Sequence, residues 1–331
     1  MTPSLTAARS SVVVATAVAA RGVGADLAPA SLDELYRLAL GGPVDEFLAR
    51  PGKRFRARLV ELSFAAAGGR GRIGRELGAA IELIHAGSLI IDDIEDASTE
   101  RRGGPALHIA QGLPLALNAG SWLYFAGLDR IAHAGLPQAS AGELLARAVA
   151  TLRACHEGQA LDLAAHPASL PAALVPALVA EVTAKKTAAL IAFGAEAGAV
   201  AAGAVPDARA ALVRLGGALG TALQILDDVG GMVSRARRDK GLEDLRLGRP
   251  TWPWAFLAER DPVGFVHAAG LAAAGRHAEL RLVLAAEAPA ARARAAALLV
   301  DALATARATL RDNQALDELA DEIQRLQVSY G

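Results

Sequence analysis

The chain of 331 residues is short of several things, and each shortage excludes something. There is one cysteine, Cys155, so no intramolecular disulfide and no thiol-based structural zinc site can form, and a reducing, cytoplasmic setting fits. Aromatic residues make up 4% against 53% for the hydrophobic class, so the core has to be assembled from Ala, Leu, Val and Ile. Neither sign of charge dominates: 34 Lys+Arg face 35 Asp+Glu, a net charge of −1, without the electrostatic footprint of a nucleic-acid binder or a polybasic membrane-surface protein. Long clean hydrophobic runs are missing too. Residues 11–20 (SVVVATAVAA) have the length of a secretory h-region, but only Arg9 precedes them as a positive charge. The uncharged stretch 103–128 is interrupted by Pro105, His108, Gln111, Pro114 and Asn118, which suits the interior of a bundle better than a bilayer. Lysine is the last shortage: only Lys53, Lys185, Lys186 and Lys240 stand among the 34 basic residues. Where arginine has taken most surface positions, each surviving compact ammonium draws notice as a point charge for phosphate.

What is present reads as helix. Apolar residues recur at i, i+3, i+4 and i+7 from about residue 55 to 328, with little alternation of period two. This periodicity predicts helices near 31–40, 54–67, 73–97, 114–134, 140–165, 172–203, 207–235, 250–259, 263–284, 288–309 and 314–328, separated by Gly, Pro and polar clusters such as Gly68-Gly69, His166-Pro167 and Gly248-Arg249-Pro250. Length alone suggests two domains. No compositional shift marks a linker and no short repeat recurs, so the expectation is an all-α chain with one helical domain over 31–331 and a loose arm over 1–30.

Two acidic clusters carry chemistry. The helix near 73–97 ends in Ile91-Asp92-Asp93-Ile94-Glu95-Asp96, with Asp92 and Asp96 one turn apart on one face. Like charges at that spacing repel, so the cluster is either a solvated helix end or a site for a hard cation, for which Mg²⁺ is the natural candidate. Asp227-Asp228 closes a second apolar helix, and two such ends facing one cavity would clamp Mg²⁺ against a diphosphate. Basic groups complete the set: Lys53-Arg54-Phe55-Arg56, Arg101-Arg102, Lys185-Lys186-Thr187 and Lys240.

In this order the motifs resemble the head-to-tail isoprenyl diphosphate synthases, most closely the geranylgeranyl diphosphate synthases of the eukaryotic kind. Residues 83–108 (LIHAGSLIIDDIEDASTERRGGPALH) resemble their first aspartate-rich region, and Gly52-Lys53-Arg54-Phe55-Arg56 their glycine-lysine-arginine motif. Gly158-Gln159-Ala160-Leu161-Asp162-Leu163, Lys186-Thr187 and Leu223 to Asp228 with Lys240 resemble three further motifs. The resemblance implies a helical bundle of the isoprenoid synthase type with a central cavity, working as a homodimer. It also implies Mg²⁺-dependent condensation of isopentenyl diphosphate with an allylic diphosphate.

By this carry-over Asp92, Asp96 and Asp227 hold the metal, with Asp93 beside them in the acidic motif. Arg101, Lys186, Gln224 and Lys240 face the allylic diphosphate, with Thr187 next to Lys186. Lys53, Arg56, His85 and Arg102 face isopentenyl diphosphate. Gly87 and Ser88, one turn before Asp92, would govern product length; both are small, which implies a C20 product with a floor at Trp122, Tyr124 or Phe125. The second motif departs from the pattern, because Gly230 and Gly231 leave it without a further carboxylate. That departure keeps a terpene cyclase on the same scaffold as an alternative, and a non-catalytic subunit as a lesser one. Other residues are expected to be structural: His156 beside Cys155, Trp252 and Trp254 as packing, and Arg235 to Arg238 as a solvated turn, with folding over the diphosphate site as the alternative for that run.

Overall fold

The computed structural model describes residues 31–330 apart from Asp312, so the expected arm over 1–30 lies outside the described residues. Contacts divide the chain into two compact units, each assembled from separated stretches, which is why no linker shows in the composition. Unit one takes the residues up to Arg54 together with Ala79–Arg130; unit two takes Phe55–Gly78 and everything from Ile131 on. Both are helical.

In unit one, Ser31 caps α1 (Leu32–Tyr36), its side chain accepting from the Glu34 amide at 3.2 Å. A π-helical turn (Arg37–Gly41) runs on into α2 (Gly42–Ala49), which tolerates Pro43 because it falls in the first turn. α3 (Phe55–Ala66) belongs to unit two, as does the start of α4 (Ile73–Glu95). A two-residue hairpin, β1 (Glu100–Arg101) against β2 (Gly104–Pro105), follows α4 and is strand pairing that the periodicity did not announce. α5 (Leu107–Gln111) and α6 (Leu113–Ala132) close the unit. Phe47, Ile90, Leu107 and Leu123 form its core. α4 and α6 approach closely through glycines: a Cβ on Gly87 would lie 2.6 Å from the Gly120 carbonyl oxygen, and one on Gly127 would lie 2.5 Å from Ile84.

Unit two continues with α7 (Gln138–Ala164), α8 (Val175–Val182), a π-helical stretch (Thr183–Ala188) and α9 (Ala189–Ala201). Then come α10 (Pro206–Val233), α11 (Arg238–Leu247), α12 (Trp252–Arg260), α13 (Pro262–Ala273), α14 (His277–Ala285), α15 (Ala288–Leu310) and α16 (Gln314–Tyr330). α10 is the axis of the larger core. Its Leu212, Leu215, Leu219, Ala222 and Leu226 repeat at three and four residues and meet Ala291, Ala295, Leu299, Ala302 and Ala306 of α15, small residues that let the two helices approach. Burying that leucine stripe contributes about 2 kcal/mol per side chain before entropy is counted. No described helix is long and apolar enough to cross a membrane.

Candidate functional site

The acidic end of α4 separates two carboxylates by direction. Asp92 and Asp96 are half-buried on one face, whereas Asp93 is fully buried and its Oδ1 accepts from Arg101, Nε at 2.7 Å and Nη2 as well. The other oxygen, Oδ2, is buried without a hydrogen-bond partner. Burial pushes the Asp93 carboxyl above its ordinary range, and Arg101 opposes that rise without cancelling it. Burial also works against the Arg101 charge, but Asp93, Asp92 and Asp96 together outweigh it and the guanidinium titrates higher than usual. Asp93, grouped by sequence with the catalytic carboxylates, therefore anchors Arg101.

The hairpin that carries Arg101 turns through two successive left-handed residues, Arg102 (φ +53°) and Gly103 (φ +76°), the geometry of a type I′ turn. Arg102 is the residue under strain there, at a cost of about 1–2 kcal/mol. Arg50 holds the hairpin from outside: its Nη1 donates to the carbonyls of Arg101 (3.1 Å) and Pro105 (2.8 Å), while Nε and Nη2 grip Glu46. No motif pointed to Arg50; it is an ordinary arginine after a helix until the hairpin is seen.

The Arg102 guanidinium lies 5.7 Å from the Phe47 ring centre, and a Cβ on Gly52 would come within 3.2 Å of it, so the glycine beside Lys53 is there to make room. Burial lowers the Arg102 pKa and Glu82 pulls the other way, while Arg101, Arg54 and Arg50 add like charge. Mutually repelling, partly desolvated cations beside an exposed Lys53 concentrate positive charge that an anion would offset. His85 is half-buried one turn before Ser88, and its carbonyl accepts from Ser88 Oγ at 2.8 Å. Arg56 falls in unit two, its guanidinium 4.9 Å from the Phe55 ring centre.

Unit two carries the second motif, again with one carboxylate half-buried and its neighbour turned inward. Asp227 Oδ1 accepts from Arg237 Nη2, and Oδ2 from Lys240 Nζ at 2.5 Å. Burial works to raise the Asp227 pKa, but Lys240 and Arg237 together hold it below its ordinary value. Arg237, expected in a solvated turn, is thus an ion-pair partner of the motif. Asp228 is buried; Oδ1 accepts from Gln224 Nε2 at 2.7 Å and Oδ2 from the Trp252 backbone amide at 2.9 Å, so it satisfies an open donor at the start of α12. Burial pushes its pKa to about 8.

The network then closes on itself. Thr187 Oγ1 donates to Gln224 Oε1 (2.8 Å), and the Trp252 indole donates to Thr183 Oγ1 (2.9 Å). Trp252, expected to be packing alone, joins the π-helical stretch, α10 and α12 in one ring; Trp254 does pack, edge to face on Phe265. Within that stretch Lys186 bonds Asp162 at 2.6 Å, and Arg249 holds the Asp162 carbonyl at 3.0 Å.

The α4 donors fit a hard divalent cation, which is commonly held by one or two carboxylates with phosphate and water. Asp227 offers a single carboxylate already bonded to two cations. No group of three His, Cys, Asp or Glu among the described residues gathers as a metal cage, so a divalent ion would draw further ligands from phosphate.

Gly87 faces α6 rather than open space, so the expected control of product length rests on Ser88. Trp122 and Phe125 are 43% and 69% exposed on α6, which leaves the half-buried Tyr124 as the inward member of that trio.

Residues 38–265 match the polyprenyl synthetase family. The chain belongs to that family. A short chain isoprenyl diphosphate synthase from Methanothermobacter thermautotrophicus is 37% identical over 206 residues, 62% of this chain and 60% of that protein. The chain thus aligns with about three-fifths of the length of this curated relative. Geranylgeranyl pyrophosphate synthetase from Pyrococcus horikoshii superposes with a TM-score of 0.72 at 26% identity, over 88% of this chain and 90% of that one. A polyprenyl synthase from Caulobacter crescentus, solved with calcium and isoprenyl diphosphate, gives 0.69 at 26% identity over 90% and 98%. These similarities establish the all-α isoprenoid synthase fold for this polyprenyl synthetase family member.

Proposed function

We propose that the chain is a Mg²⁺-dependent prenyltransferase that joins isopentenyl diphosphate to an allylic diphosphate and releases geranylgeranyl diphosphate (C20). One observation carries the reading: the partly buried Arg102, with Arg101, Arg54 and Arg50 adding like charge, stands against Gly52 beside Lys53 and concentrates positive charge in unit one. An enzyme that only ionises one prenyl diphosphate has no use for a second cationic pocket, which sets condensation ahead of cyclisation. The intact Asp92–Asp96 pair opposes the reading as a non-catalytic subunit.

Asp92 and Asp96, and in the second motif Asp227, would hold Mg²⁺, which when bound offsets negative charge on the departing diphosphate. Arg101, kept charged and oriented by Asp93, binds the allylic diphosphate with Lys186, Gln224 and Lys240. Thr187 orients Gln224 through its 2.8 Å hydrogen bond. Lys53, Arg56, His85 and Arg102 hold the diphosphate of isopentenyl diphosphate, so the double bond is presented to the allylic carbon as charge develops there. These cations stabilise the ionised state more than the bound substrate, which is what accelerates the step. The departing diphosphate takes the final proton.

Purified protein with Mg²⁺ and each allylic diphosphate, with and without isopentenyl diphosphate, tests the reading. A longer diphosphate formed only from paired substrates is expected; a hydrocarbon or alcohol formed without isopentenyl diphosphate would overturn it. The C20 product is supported by the small Ser88 and by the geranylgeranyl name of the Pyrococcus protein. A helical turn rises ~5.4 Å, about one isoprene unit, so Ser88→Phe should shorten the product to C15 or less in an active enzyme. An unchanged product from that variant would remove the support for C20.

We also read the exposed stripe Leu113, Leu117 and Phe125 of α6 as covered by a second copy of the chain. Sedimentation equilibrium should return twice the chain mass; a monomer at micromolar concentration would refute the pairing.

A further inference from the structure

α11 lies closer to α10 than side chains ordinarily permit. A Cβ on Gly241 would stand 2.1 Å from the Gly231 carbonyl oxygen, and one on Gly231 would stand 3.1 Å from Gly241 Cα. Gly231 is also where the second acidic motif lacks its further carboxylate, so the missing carboxylate and the seated helix are one feature. An acidic side chain at 231 would prop α11 away. With α11 down, two cations from its start converge on Asp227: Arg237, the residue that leads into the helix, and Lys240, in its first turn.

The two cations are not equivalent. The Arg237 side chain is 26% exposed and that of Lys240 is 51%, so water reaches the lysine pair more readily than the arginine pair. A carboxylate shared by an arginine, a lysine and a divalent ion would crowd three positive centres on one negative group.

We propose that Arg237 is a resident cation of Asp227 that a divalent metal must displace to enter the second acidic motif. The inference rests on the metal-dependent reading above. It assigns Arg237 a specific task within its run of arginines: it keeps Asp227 occupied in the substrate-free protein and sets how much metal that half of the site requires.

Mn²⁺ binding to the substrate-free, full-length protein tests it, with free Mn²⁺ followed by its electron paramagnetic resonance. Arg237→Gln should tighten one Mn²⁺ site by about tenfold, the scale of one charge-assisted hydrogen bond. Arg238→Gln removes the same charge from an exposed neighbour and should leave binding as in the parent. Arg237→Gln combined with Asp227→Asn should lose the gain. Parent-like binding by Arg237→Gln, an equal gain from Arg238→Gln, or a gain that survives Asp227→Asn would each overturn the inference. The prenyltransferase reading fails on a different result, the absence of product from paired substrates.

Discussion

Two adjacent aspartates of one type meet opposite fates in each motif, and the cause is a helical turn of 100° per residue. Asp92 and Asp227 come out half-buried, while Asp93 and Asp228 turn inward and are held by Arg101 and by Gln224 with the Trp252 amide. Asp92→Ala removes a proposed metal ligand and relieves repulsion from Asp96. Turnover should fall about a hundredfold or more, while the metal-free melting temperature holds or rises slightly. Activity within threefold of the parent would refute the metal assignment. Lys53→Ala should raise KM for isopentenyl diphosphate about tenfold or more and leave the allylic KM nearly unchanged, because the cations beside Gly52 are proposed to serve one substrate. Equal increases in both would mean the two pockets had been confused. Burial pushes the Cys155 thiol to about 11, and the neighbouring His156, expected as a packed residue, is exposed with its ring Nδ1 on the Leu152 carbonyl at 2.8 Å.

At the scale of helices, periodicity carried the long amphipathic elements to within about two residues at most ends, as with α4, α6, α10 and α15. It failed where burial does not follow hydrophobicity. α11 (RDKGLEDLRL) buries only Gly241 and Leu245, so no apolar stripe announces it, although the left-handed Gly248 that ends it was legible as a stop. The expected single helix over 172–203 begins with a short 3₁₀ turn and passes through the π-helical stretch Thr183–Ala188, a change of register that composition does not encode and that sets the positions of Lys186 and Thr187. The helix expected over 263–284 breaks at Gly275, with φ +68°. The motifs in sequence marked most of the candidate site. Arg50 stayed hidden because its importance lies in the hairpin that folds back onto it, whereas Arg237 belongs to a run whose folding over the site the sequence left open beside a solvated turn. Gly241→Ala tests the unannounced helix: its Cβ cannot coexist with the Gly231 carbonyl, so α11 must shift and the protein should lose about 1–3 kcal/mol, the usual cost of overpacking. Denaturant unfolding measures this, and an unchanged midpoint would show that α11 is not seated as described.

Across the whole molecule, the inward carboxylates of unit two shape stability against pH. Asp228 at about 8 and Asp244 at about 6 both keep protons in the folded chain that the unfolded chain, near 3.8, has lost. Their contribution therefore falls as pH rises, over about 4 to 6 for Asp244 and on to about 8 for Asp228. Asp227, held below 3.8, does the reverse: it stabilises above that value and loses its contribution as pH falls further. Asp228→Asn keeps a neutral group able to meet both neighbours once the Gln224 amide flips. The variant should flatten the decline between pH 6 and 8, followed by thermal melts, and leave the lower part intact. Asp228→Ala should instead lose about 1–3 kcal/mol at every pH, from two buried donors left unpaired. A parent-like slope for Asp228→Asn would assign the decline elsewhere. The scarcity of lysine has a practical consequence at this scale as well. Lys185 bonds Glu157 and Glu181 at 2.9 Å, Lys186 bonds Asp162, and Lys240 bonds Asp227, so each of these amines is paired with a different carboxylate. Reductive methylation with isotope-labelled formaldehyde retains the charge and turns the chain's four lysines into four spectroscopic reporters. A magnetic resonance spectrum of that simplicity would follow both proposed diphosphate sites through a titration without a single engineered label.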